Sequence, residues 1–427
     1  MSKRTAILFT ALVLGLGWAI RGHFGHEHGA AWAGAMGALA IIVASKRKDW
    51  ALRLAPLAVL AGIGWGAGGM MSYGIIVGIG RGTDFANVYY GLAMLGVIGG
   101  LYGFIGGGLF GLGLESTTEK KPAWASLFTE MIAGGLLAWY VLIAQFEWKM
   151  TPPRSELWAA CFGASLALAW FLYRNGFHRA LRVAGYSALG AGFGFAFGNF
   201  LQTMGNVTGL SFNWWNVMEF TLGFCGGLGM AYGVFTREWP EGIAPSKAAN
   251  WLALLFLLFV IPATNIIQSM ELKNFVRGAK QMRLANPLSF AHTQVAVAWV
   301  VVLIFVVGGI IVYKRIGTRE ETVEIFAPVA LFAVTLYYLI FSTIQKLVFF
   351  SVGAKQLEQY IYWVILIITL VMWLRSRGKS SQAFIPSRQE SWKRWVSIIS
   401  LFLLILAVIT FISIHSHGSM PGAHTRF

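Results

Sequence analysis

Residues 21–29 read Arg21-Gly-His-Phe-Gly-His-Glu-His-Gly29 and lie between two apolar runs, 5–20 and 30–45. Ionisable groups near membrane depth are costly to desolvate, and chains retain them there where they work. Arg21 offers a planar fork that can clamp a carboxylate, phosphate or sulfate through two parallel N–H bonds. If the stretch continues as helix for a turn, His23 and Glu27 are four apart and share a face. A carboxylate beside an imidazole favours the protonated ring, so this pair could exchange a proton near neutral pH. Arg21 and His28 would share another face, with Gly25 leaving a hollow between them. The plainer reading is an Arg21–Glu27 ion pair that pins the hairpin, with the histidines as interfacial caps.

Further polar residues sit inside apolar runs. Glu130 stands in such a run with no evident cation beside it, as a proton or sodium coupling site or as a protonated carboxyl bonded to a neighbouring helix. Ser72 and Tyr73, then Asn199 and Gln202, then Glu219, then Asn265 and Gln268, follow along the chain. Trp18 and Trp65 occupy matching places in glycine-rich segments and are expected to face a cavity. The expected solute-binding set is therefore Arg21, His23, Glu27, His28, Trp18, Trp65, Asn199 and Gln202. The expected ion-coupling set is Glu130, His23, Glu27 and Glu219.

Metal binding is a weaker reading. His23, His26 and His28 could combine with His415, His417 and His424 of the tail around Zn²⁺ or Cu²⁺, which favour imidazole. The spacing H-x₂-H-x-H is not specific, and no metal or other cofactor is expected. The two cysteines, Cys161 and Cys225, fall in separate apolar segments and imply no disulfide framework. No Walker A motif, G-x-S-x-G elbow or H-E-x-x-H pair occurs.

The elements that must hold these residues are membrane helices. Of 427 residues, 57% are hydrophobic and 12% charged, with a mean hydropathy of +0.66. That charged fraction is about half that of a soluble protein. Apolar runs recur at lengths that cross a hydrocarbon core about 30 Å thick. The short alternating strands of a barrel are not seen. The reading is an all-α polytopic protein with about thirteen spans: 5–22, 29–45, 54–80, 89–113, 124–145, 157–173, 182–204, 215–235, 249–270, 292–313, 323–343, 359–374 and 394–414. Lys3-Arg4 before an apolar run resembles a signal peptide, but without a clear cleavage site the reading is a retained first helix.

The net charge of +16 invites a nucleic-acid partner. The basic residues are scattered through short loops, however, which is the positive-inside pattern and not a phosphate-binding groove. With the N-terminus inside, twice as many Lys and Arg fall inside as outside, although 271–291 places four on the outer side. That segment and 344–358 are expected to be amphipathic interfacial helices.

Most of the 51 glycines precede residue 249. Residues 1–248 are expected to form a tight glycine-packed bundle holding the site, and 249–427 an apolar scaffold where a homo-oligomer would form. Within the first region Gly15-x-Gly17-Trp18 matches Gly62-x-Gly64-Trp65 and Gly190-x-Gly192-Phe193. Glu27, Gly34 and Gly37 share the spacing of Glu219, Gly226 and Gly229. These read as parallel hairpin repeats, and Arg21 is where the first departs from the others.

Three classes of function fit. The leading one is a secondary transporter in the bacterial inner membrane for a small anionic or sugar-like solute, coupled to protons or sodium. The second is a membrane-embedded acyl or glycosyl transferase with an outward-facing His/Arg/Glu site. The third is a metal-handling membrane protein.

Overall fold

The computed structural model describes all residues except Gly25, Glu320, 379–383 and 385–390; of His26 and Glu27 it describes the backbone alone. The described residues are helical, with no strand among them. The glycine-rich region contains α1 (Lys3–Arg21), α2 (His26–Ser45), α3 (Lys48–Leu52), α4 (Leu54–Gly68), α5 (Gly74–Ile79) and α6 (Phe85–Glu115). It continues through α7 (Trp124–Trp139), α8 (Trp158–Arg174), α9 (His178–Val207) and α10 (Trp214–Phe235). The remainder comprises α11 (Lys247–Leu255), α12 (Ile261–Ser269), α13 (Leu272–Gln281), α14 (Pro287–Val312), α15 (Val323–Gln345), α16 (Leu357–Ser376) and α17 (Trp392–Ser416).

Ten helical segments among the described residues are long and apolar enough to cross a membrane, so the chain is a multi-pass membrane protein by that measure. Helices suit this setting because every internal N–H and C=O is satisfied within the segment. Polar caps start several of them. Ser2 accepts from Thr5 N at 3.3 Å and Asp84 from Asn87 N at 2.9 Å, each satisfying an otherwise orphaned first-turn donor.

Three expected spans fall outside those ten. Helix α8 is short at 17 residues, and α9 buries Arg182, Asn199, Gln202 and Thr203 along its length. The segment expected to cross continuously over 54–80 is broken. Helix α4 stops after 15 residues, about 22 Å at 1.5 Å per residue. Residues 69–73 then run irregularly before α5 resumes. The expected helix at 344–358 is also absent: α15 ends at Gln345, and Lys346–Lys355 forms successive turns. The other expected interfacial segment does contain a helix, α13.

Six helices close a ring. Helix α1 packs on α2, α2 on α4, α4 on α6, α6 on α9, α9 on α10, and α10 back on α1. The ring is thus three hairpins, and glycines set its spacing. Methyl groups at Gly99, Gly103, Gly107 and Gly111 of α6 would run into Ala191, Ser187 and Ala180 of α9, so that crossing needs a bare stripe every fourth residue.

The hairpins repeat their contacts, but not in the frame read from the sequence. Gly15 lies against α10 and Gly17 against α2; Gly62 lies against α2 and Gly64 against α6. In α9 this previous-hairpin, own-hairpin order is kept by Gly192 and Gly194, with Gly190 already against α10. The counterpart of Trp18 and Trp65 is therefore Phe195, two residues beyond Phe193. Trp65 occupies the meeting point. A methyl at Gly34, Gly106 or Gly226, one from the second helix of each hairpin, would fall under 3.0 Å from its ring.

The other helices wrap this ring. Helices α15 and α16 lie against α1 and α2, α17 against α6 and α9, and α7 with α8 beside α6. An ionic clamp ties the loops at the Lys46 end. Asp49 accepts from Arg47 Nε at 2.8 Å, Arg53 Nη2 at 3.4 Å and Gly242 N at 3.1 Å, while Arg53 also donates to Gly113 O at 3.0 Å. Burial alone would raise the Asp49 pKa. The hydrogen bonds from Arg47 and Gly242, with the charges of Arg47 and Arg53, outweigh it and hold the carboxyl below its usual value.

Candidate functional site

Arg21 is the last residue of α1, and the ring turns it inward. Only 1% of Arg21 and none of Glu219 is exposed, and Arg21 Nη1 donates to Glu219 Oε1 at 2.8 Å. Tyr73, at the break between α4 and α5, accepts from Arg21 and donates to the same Oε1 at 2.7 Å. Trp215 Nε1 adds a third donor at 3.2 Å. Glu219 Oε2 has no hydrogen-bond partner among the described residues.

Aromatic rings enclose the guanidinium. Its central carbon lies 5.0 Å from the Trp18 ring centroid and 5.5 Å from that of Tyr73, and Nη2 donates to the Tyr102 hydroxyl at 3.4 Å. Trp18 meets Trp65 edge-on at 5.6 Å and Tyr102 at 4.9 Å; Phe195 meets Tyr73 at 4.9 Å. Gly29 must lack a side chain, since a methyl there would come within 2.8 Å of Arg21 Cγ. Two opposite charges in such a low-dielectric place are tolerated because each offsets part of the other's desolvation cost.

A second cluster lies one turn away. Helix α1 ends at Arg21 and α2 begins at His26, so His23 and Glu27 do not share one helix as expected; His23 lies in the turn. Asn216 Nδ2 and Gln359 Nε2 each donate to His23 Nε2 at 3.0 Å, and the Tyr362 hydroxyl lies 3.1 Å from it. Gln345 donates to the His23 carbonyl. Burial first, and then the charge of Lys346, hold the His23 pKa well below the ordinary imidazole value. Asn216 and Tyr362 also line a cleft of about 310 Å³ between α10 and α16, together with Phe212, Phe220 and Glu358. The His23 cluster and that cleft thus share Asn216 and Tyr362.

The other expected residues divide. Trp18, Trp65 and Glu219 join Arg21. His28 is half-buried in the first turn of α2. The side chains of Glu27 and His26 lie outside the described residues. Asn199 and Gln202 bond each other at 3.3 Å, and Asn199 donates to Val77 O at 3.3 Å, which places them at the far end of α5. Glu130 is corrected: a cation does stand beside it, with Arg174 Nη2 at 2.5 Å on the neighbouring α8. Among the described residues no three His, Cys, Asp or Glu side chains converge as a metal site would require.

Tyr102, Asn216, Tyr362, Gln345 and Gln359 carry the two clusters without having been singled out from the sequence. Their one sequence signal is a polar atom within an apolar run, which many interfacial residues share. The chain matches no family model, and no curated protein or solved structure is significantly similar to it.

Proposed function

We propose that the chain is a secondary transporter for a small anionic solute, coupled to an ion gradient, with Arg21 and Glu219 as its central pair. The observation that carries this reading is the sealed Arg21–Glu219 ion pair held by a tyrosine at a helix break. Discontinuous helices beside buried charge are how transporters build mid-membrane sites, because irregular backbone survives only where it is enclosed or lines a cavity. On this reading the chain crosses thirteen times, with α4 and α5 together, α8 and α9 added to the ten apolar spans. The N-terminus faces the cytoplasm of a bacterial inner membrane, in keeping with its basic loops.

The His23 cluster then serves as a gate toward the α10–α16 cleft, and the three hairpins move against the outer helices to expose the pair alternately. The transferase reading has less support, since the Nε2 of its candidate base His23 already accepts from two side-chain amides. Purified protein in liposomes, given a panel of radiolabelled organic anions and sugars under proton or sodium gradients, tests the proposal. Gradient-driven uptake of any of them that is lost in R21Q is expected; no uptake of any solute overturns it.

A further inference from the structure

We infer that a groove on the outer face of α4 binds one acidic glycerophospholipid, with an acyl chain along α4 and the phosphate at Lys121. The inference is independent of the transporter reading. Helix α4 is a member of the ring, yet Pro56, Val59 and Leu60 are only half-buried and Ile63 is 40% exposed. Their spacing puts all four on one helix face. At about 100° per residue that face lies opposite Trp65, so it looks away from the centre of the ring. It lines a cleft of about 680 Å³, which Ala249, Leu252 and Ala253 line from the adjoining α11.

Length selects a lipid chain. From Arg53 to Ile63 the lining extends about 15 Å along α4, at 1.5 Å per residue. That is half of a hydrocarbon core about 30 Å thick, hence the depth of one leaflet. The cleft is also polarised along that length. Its polar lining is Arg53, Ser116, Lys121 and the indole of Trp124, and these come from the start of α4, the end of α6 and the start of α7. Arg53 Nη1 donates to Gly113 O, which brings the first two of those helix ends together. The remaining lining is apolar, so one end suits a headgroup and the other suits hydrocarbon.

Charge selects an acidic headgroup. Arg53 is committed to Asp49, Gly113 and Ser116. Lys121 is exposed and has no carboxylate or side-chain hydrogen-bond partner among the described residues, and the Trp124 indole N–H has no acceptor among them. No carboxylate among the described residues lines the cleft. Glu119, just before Lys121 in the chain, lines a separate cleft with Glu115, Lys120 and Arg179. A phosphodiester therefore meets an unopposed ammonium, and a glycerol ester carbonyl meets an unused N–H. Lysine and tryptophan serve membrane interfaces in this way, with the stem or ring in hydrocarbon and the polar tip at the headgroups. A soluble anion would leave the apolar walls bare, and a neutral chain would leave the ammonium unanswered.

The test uses full-length protein in detergent and a phosphatidylglycerol that carries a diazirine on one acyl chain. Expected is photolabelling of peptides from 53–63 and 249–256. Unlabelled phosphatidylglycerol should compete about fivefold better than phosphatidylcholine of the same chains, the effect of one interfacial cation. K121Q should bring the two competitors level while labelling persists. I63W fills the cleft from its hydrocarbon end and should suppress the labelling itself. Equal competition by the two lipids in the wild type overturns the inference, as does a preference that survives in K121Q. Absence of label at 53–63, or label spread evenly over the exposed α14, marks bulk lipid only and also overturns it. Inorganic phosphate competing as well as phosphatidylglycerol assigns the site to a soluble anion and overturns it too. The wild-type competition needs no variant, so it decides the matter even where K121Q or I63W fails to fold. Solute uptake enters none of these readouts, so the transporter reading stands or falls separately.

Discussion

Arg21 and Glu219 are 198 residues apart in the chain and 2.8 Å apart in the fold, joined where the ring of hairpins closes α10 onto α1. Breaking a buried ion pair by removing one partner costs about 3–5 kcal/mol. R21Q and E219Q should each lower the melting temperature of the detergent-purified protein. The double variant R21Q/E219Q should recover a large part of that loss while remaining inactive. A double variant as unstable as the sum of the singles would show that the pair is not coupled.

The place of Trp65 makes a second prediction. Gly106→Ala forces a methyl against its indole and should destabilise by about 1–3 kcal/mol, the usual cost of overpacking. Trp65→Leu removes the obstacle, so G106A should cost markedly less in that background. An equal cost in both backgrounds, read from thermal melts, would refute the contact.

His23 predicts a pH profile. Its folded pKa lies below the unfolded value of about 6.5, so His23 adds no pH dependence above that value, where both states are neutral. As pH falls below it, the unfolded chain takes up the proton first and stability is lost at up to about 1.4 kcal/mol per pH unit, until the folded pKa is reached. H23Q keeps an acceptor without a titrating ring and should flatten the melting temperature between mildly acid and neutral pH. An unchanged slope in H23Q would assign the effect elsewhere.

Asp49 titrates with a different window. Its folded pKa is depressed, so its contribution is present above the unfolded value of about 3.9 and lost as pH falls through the folded one. D49N should lower stability at neutral pH and leave the acid limb of the melting curve shallower than in the wild type. If D49N melts like the wild type at neutral pH, the clamp on Arg47, Arg53 and Gly242 contributes little.

Glu130 offers a contrast with Glu219. Its side chain is 26% exposed and that of Arg174 38%, and such partly solvated pairs are worth about 0–1 kcal/mol. E130Q should therefore melt close to the wild type and retain gradient-driven uptake, measured beside E219Q in the same liposomes. Loss of coupling in E130Q would return the coupling role to α7.

The helical membrane class was legible because apolar length is a local property of the chain. Arg21 stood out because it interrupts a glycine pattern, and Glu219 because it opens an apolar run. Their pairing was not legible, since it depends on non-local closure of α1 against α10. The break at 69–73 was hidden because Gly69-Met-Met-Ser-Tyr73 is nearly as apolar as its flanks and contains no proline. The frame of the third hairpin slipped by two because α9 offers Gly190, Gly192, Gly194 and Gly198, and only packing chooses among them. Arg174 was missed as the partner of Glu130 because it lies 44 residues away, on the adjoining helix.

Trp65 touches all three hairpins, and a central position of that kind admits one side chain from among three equivalent places. A threefold arrangement of identical hairpins would send three indoles into the same volume. Packing around the centre therefore distinguishes the hairpins: Trp65 is the wedge, Trp18 meets it edge-on at 5.6 Å, and the third hairpin places the smaller Phe195. The same shared wedge ties the three hairpins together at one side chain, so a substitution at Trp65 reaches all of them at once.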